Sequence, residues 1–148
     1  MSYDSSVRIT YRSSDASVVE LIESYLNHGW SLDNGAGRAV FEPLGATEPG
    51  AIQVLPVSAK KEILTILQQK ETVRERISLT MSWEQSATLG DFYFSQSTVH
   101  VFFNSGMGRR TIEGLDGTTD YSWYMSKLLL PLAAVGGRVQ KIVWTDIP

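Results

Sequence analysis

The sequence predicts an α+β fold: a single antiparallel, or mixed, sheet of about six to eight strands with about three helices packed mainly on one face. Three observations point there. Apolar and polar residues alternate over several short runs, which is the period of a half-buried strand. Those runs come as pairs across turn-forming residues rather than singly between helices, which argues against a doubly wound parallel sheet. Three longer stretches carry apolar residues at helical spacing.

In the first half, Val7, Ile9 and Tyr11 alternate with Arg8, Thr10 and Arg12 and predict a strand. The stretch 13–29 predicts a helix with Val18, Leu21, Ile22 and Tyr25 on one stripe. Ser14 or Asp15 is its candidate N-cap and Gly29 its end. Residues 30–32 and 38–42 flank DNGAG at 33–37, and this turn chemistry predicts a hairpin. Two prolines and two glycines make 43–50 a loop. Residues 51–57 read as a short edge strand, because Pro56 cannot donate to a ladder. Ser58 is placed to cap a second helix over 59–71.

The second half opens with the clearest alternation, Ile77, Leu79, Met81 and Trp83 against Arg76, Ser78, Thr80 and Ser82. Two more strands, 89–95 and 98–104, meet at a polar turn around Gln96 and Ser97. A third helix runs from about Thr119 to Val135 and ends at Gly136 and Gly137. Residues 138–146 form the last strand. Pro131 removes one hydrogen bond from the third helix and predicts a kink near Lys127 or an early end. No linker marks a second domain, so residues 1–148 are expected to form a single α+β domain.

Composition narrows function by exclusion. Apolar residues make up 43% and charged residues 20%, which suits a packed core and argues against general disorder. With no cysteine there is no disulfide scaffold, no thiolate zinc site and no thiol nucleophile. No basic segment followed by an apolar run opens the sequence. The longest apolar run, 128–135, is short of the ~20 residues of a membrane helix. The expectation is a cytoplasmic protein with no membrane partner.

The motifs carry little chemistry. The run 104-NSGMGRR-110 brings two glycines and two arginines after a strand, so Arg109 and Arg110 are candidate anion ligands. Its spacing fits neither a nucleotide P-loop nor a dinucleotide fingerprint, and a hairpin turn explains it as well. With two histidines and no HExxH or calcium-loop spacing, neither a metal nor a cofactor is expected. His100 with Asp91, or with Glu84, is the minimal general-base arrangement available to a small hydrolase or transferase. Arg8, Arg12, Arg38 and Arg76 fall on strands beside Tyr93 and Phe102, a combination some RNA-binding sheets use. Against that stand the net charge of −3 and the lack of an RNP-like signature, so no nucleic-acid partner is expected.

What remains is a protein-binding protein, most simply an inhibitor of the immunity-protein kind that neutralises a toxin by covering its site. The expected surface is acidic and aromatic, made by Asp116, Asp120, Trp123 and Asp33. Its expected partner is another protein, such as a basic toxin or effector domain. A secretion-type chaperone is a further alternative.

Overall fold

The computed structural model describes residues 4–12, 15–84, 88–115 and 117–146. It has one antiparallel sheet of eight strands and three helices. The strands are β1 (Ser5–Arg12), β2 (Trp30–Ser31), β3 (Arg38–Phe41), β4 (Gln53–Pro56), β5 (Ile77–Trp83), β6 (Leu89–Phe94), β7 (Thr98–Phe103) and β8 (Arg138–Asp146). The helices are α1 (Val18–Asn27), α2 (Lys60–Thr72) and α3 (Tyr121–Ala134). The spatial order is β4-β3-β5-β6-β7-β1-β8, with β2 beside β5.

Alternation sets the two faces. Val7 and Ile9 of β1, Ile77, Leu79 and Met81 of β5, Phe92 of β6 and Val99 and Val101 of β7 are all buried. They pack with Ile22 and Tyr25 of α1, Ile63 and Leu67 of α2, and Tyr124, Leu128 and Leu132 of α3. The other face carries Arg8, Thr80, Tyr93, Thr98, His100 and Phe102, which are exposed or half-buried. Helices therefore cover one side, and the opposite side is open.

Side-chain bonds to backbone fix α1 against α3. Tyr25 donates to the Leu128 carbonyl at 2.7 Å, and Ser24 donates to the Pro131 carbonyl at 2.8 Å. Pro131 lies inside α3, which continues to Ala134 rather than stopping. Its missing N–H leaves the Lys127 carbonyl without the usual helical donor. The indole N–H of Trp30 donates to that carbonyl at 3.0 Å.

Three local expectations change. The N-cap of α1 is Ser17, not Asp15, and Ser14 lies outside the described residues. Ser17 and Glu20 form a reciprocal capping box, and Glu71 of α2 accepts the Val18 and Val19 N–H groups. Ser58 does not cap α2, whose N-cap is Ala59 after a 3₁₀ turn at Val57–Ala59.

The 33–37 turn closes no hairpin. β2 and β3 both run antiparallel to β5, with Trp30 opposite Trp83 and Phe41 opposite Leu79, so the chain keeps its direction. The DNGAG residues bond among themselves instead. The Asp33 carboxylate accepts from Gly35 and Gly37, and the Asn34 side chain accepts from Ala36, which pushes the segment out as a loop. The hairpin partner of β3 is β4, across the 43–50 loop. That loop is tied down by Lys70, whose buried ammonium donates to the Pro43 carbonyl and to Glu75.

Candidate functional site

Three of the four tryptophans, Trp30, Trp83 and Trp123, gather at one end of the molecule. Trp30 is buried, and Trp83 meets it edge to face at 5.5 Å between ring centroids. Trp123 of α3 meets Trp83 in the same way at 5.9 Å. Trp83 and Trp123 are half-buried, so the row of three indoles runs from core to surface. Cations lie over the outer two rings. The Arg110 guanidinium stands 4.8 Å from the Trp123 centroid, and the Lys127 ammonium 4.9 Å from that of Trp83 and 5.9 Å from that of Trp123.

The backbone around Trp83 is unusual in two places. Gly29, with φ at +99°, lies so close to the indole that a Cβ there would sit 2.3 Å from a Trp83 ring carbon. Glu84 follows Trp83 with φ at +45°, an uncommon conformation for a residue with a side chain. Its N–H donates to the Gly29 carbonyl at 2.8 Å, which locks the end of β5 to the end of α1. Glu84 is exposed beside the indole pair.

The residues expected to form an acidic surface fare differently. Trp123 is half-buried as expected. Asp120 is the N-cap of α3, its carboxylate accepting from the Trp123 N–H at 3.1 Å. The Asp33 carboxylate is engaged by its own loop. The Asp33 carbonyl accepts from Ser82, the neighbour of Trp83, which brings Asp33 to the same end as the indoles. Asp116 lies outside the described residues. The charges over the rings are the cations Arg110 and Lys127, with the exposed Glu84 next to Trp83; the sequence marks Arg110 only as an anion ligand and does not mark Lys127.

Arg109 and Arg110 do not form an anion claw. Arg109 turns inward, donating to the Gly117 carbonyl and to the Thr119 hydroxyl, 4.0 Å from the Asp146 carboxylate. Thr119 and Tyr121 donate in turn to Asp146, and that bond together with the carboxylate's charge pushes the Tyr121 phenol up to about 12. Arg110 turns the other way, to Thr88 and Trp123. The Gly-rich segment is a structural clasp joining 109–121 to β8.

The general-base arrangement is not assembled either. His100 faces Tyr93 on β6 and Arg8 on β1. Asp91 faces Phe102 and Thr80, and its carboxylate accepts the Thr80 hydroxyl at 2.8 Å. Burial, and then the Arg8 charge, lower the His100 pKa below its usual 6.5, whereas a carboxylate partner would raise it. Glu84 is six residues along β5 from Ser78, which faces Tyr93, or about 20 Å from the His100 row at strand rise.

The open face of the sheet carries its own charge pattern. Arg8, Arg12, Arg38, Arg76, Arg138 and Lys141 lie on or beside its strands, against Asp4, Glu42 and Asp91. Six cations and three carboxylates leave +3, where the whole chain carries −3. Among the described residues no group of three or more histidines and carboxylates is placed to hold a metal ion. Among them, no helix is long and apolar enough to cross a membrane. Comparison with protein-family models, with curated proteins and with solved structures returns no match for this chain.

Proposed function

We propose that this protein is a small cytoplasmic binding protein that inhibits a partner protein by covering its site, as immunity proteins do to toxins, and that it docks through the Trp83–Trp123 end. One observation carries the reading: two half-buried indoles stand edge to face, with Arg110 and Lys127 held over their rings. Tryptophan and arginine are the residue types that dominate binding energy at interfaces. Here their rotamers are fixed before any partner arrives, so little ordering cost remains. Asp120 and Asp33 are engaged by backbone N–H groups, and Arg110 and Lys127 offer two cations at the rings against the single exposed carboxylate of Glu84. An acidic patch on the partner complements them.

The test pairs capture with rescue. Tagged wild type and Trp123→Ala are used to capture partners from host lysate, with circular dichroism confirming that the variant folds. One stoichiometric protein is expected on the wild type and absent from the variant, a loss of about 2 kcal/mol or more. Expressed alone, that protein should arrest growth, and co-expression of the wild type should relieve the arrest. Equal capture by both forms, or a captured protein without a toxic or enzymatic activity to inhibit, would sink the proposal.

A further inference from the structure

The open face of the sheet holds a hollow of about 530 Å³, remote from the tryptophan end and lined in part by Arg8, Arg76, Tyr93, His100 and Phe102. Its volume is in the small-molecule range. Strand register builds it. Tyr93, His100 and Arg8 stand side by side across β6, β7 and β1, with Phe102 one step further along β7. Phe102 and Tyr93 meet edge to face at 5.4 Å, and the His100 ring lies 4.1 Å from Phe102. The floor is therefore aromatic.

The charges around it are unequal. Arg76 is matched: its guanidinium is 2.5 Å from the Glu42 carboxylate and lies over Tyr93 at 5.1 Å. Among the described residues no carboxylate lies within ion-pair distance of Arg8. Arg8 is exposed and stands in register with His100. An unmatched guanidinium beside a half-buried aromatic floor is a receptor for a planar anion, since its fork of donors fits two oxygens of one group.

We infer that this hollow binds a small organic carboxylate with an aromatic body, the carboxylate on Arg8 and the ring on Tyr93 and Phe102. A single unmatched cation selects a monoanion. A phosphate dianion would need a second one, and Arg76 is already neutralised by Glu42. His100, between Tyr93 and Arg8 in the register, brings an imidazole to the lining that can hydrogen-bond a ligand. The site is independent of the proposed partner surface, so either can fail without the other.

The experiment is a two-dimensional NMR titration with 3-phenylpropionate as the probe, beside the uncharged 3-phenylpropanamide, phenyl phosphate and an acetylated dipeptide ending in phenylalanine. The carboxylate should give saturable shifts at Arg8, Tyr93, His100 and Phe102. The amide should bind about tenfold more weakly, and Arg8→Gln should cost about the same factor. Arg12→Gln, on the same strand and face but outside the hollow, should bind as the wild type does, and so should Trp123→Ala. A dipeptide that binds tighter than the free acid assigns the carboxylate to a peptide terminus, and one that binds no tighter assigns it to a free acid. The inference is overturned by any of four results: no saturable shift, equal binding of the amide, tightest binding of phenyl phosphate, or equal losses from Arg8→Gln and Arg12→Gln.

Discussion

Gly29 shows how one residue can hold a site. It ends α1 with φ at +99°, and its bare Cα lets the Trp83 indole lie against the backbone. Ala at this position would take a left-handed conformation costing ~1–2 kcal/mol. It would also drive a methyl group into the indole, an overpacking cost of ~1–3 kcal/mol. Gly29→Ala is therefore expected to lower stability by about 3 kcal/mol in urea unfolding and to disturb the Trp83 fluorescence, while Gly35→Ala should act through its φ alone, since nothing lies within 4 Å of its Cβ position. Equal losses from the two variants would refute the close-contact account. The sequence marked Gly29 as a helix end, but contact with a residue 54 positions away leaves no local trace.

His100 gives a residue-scale prediction in pH. Burial and Arg8 hold its folded pKa below the unfolded value of 6.5. Above 6.5 the imidazole is neutral in both states and costs nothing. Below it the unfolded chain binds the proton first, so stability falls as pH drops from 6.5 towards the lowered folded pKa. Urea unfolding from pH 8 to pH 5 should show this loss in the wild type, and His100→Gln should remove that part of the slope. An unchanged slope in the variant would mean that other groups carry it.

At the scale of elements, α3 and β2 explain each other. Pro131 reads in the sequence as a defect in a helix, because only the helix is visible there. In the fold its missing N–H frees the Lys127 carbonyl, and Trp30, 97 residues away in the chain, donates to it. The same helix offers the Leu128 and Pro131 carbonyls to Tyr25 and Ser24, so three successive side-chain donors stitch the α1–β2 region to α3. Pro131→Ala returns a competing N–H to Lys127. The helix itself should gain from losing the proline, while the Trp30 indole proton should exchange faster with solvent and shift in the NMR spectrum. An unaltered Trp30 resonance would show that the carbonyl serves both donors at no cost. Element types and most boundaries were legible, because alternation and helical spacing are local. The 33–37 loop misled for the same reason: Asn-Gly signals a tight turn, but only the pairing of β2 and β3 with β5 decides whether the chain reverses. The Ser17-x-x-Glu20 box is a local pattern and so is legible in the sequence.

For the whole molecule, the strand order interleaves the two halves of the chain. β1 lies between β7 and β8, and β3 pairs with β5, so strands from before residue 75 are completed only by strands from after it. Neither half of the chain is therefore a self-sufficient unit. The candidate site follows the same rule: Trp30 comes from the first half, Trp83 from the middle and Trp123 from the third helix. This is why Trp123 is visible in the sequence as a partner-binding candidate and Arg110 only as an anion ligand, while Trp83 and Lys127 carry no local mark. Interleaving predicts cooperativity. Fluorescence, which reports the indole row together with Trp144 of β8, and far-UV circular dichroism, which reports the sheet and helices, should give one coincident urea transition. Fragments 1–75 and 76–148 should each be unfolded alone, since either lacks the strands that cover its apolar faces, and mixing them should restore the spectrum in part. A stable isolated fragment, or fluorescence that changes before the dichroism, would show that the tryptophan end opens separately. In that case the cations over Trp83 and Trp123 would belong to a mobile surface, and the pre-organisation on which tight partner binding depends would be lost.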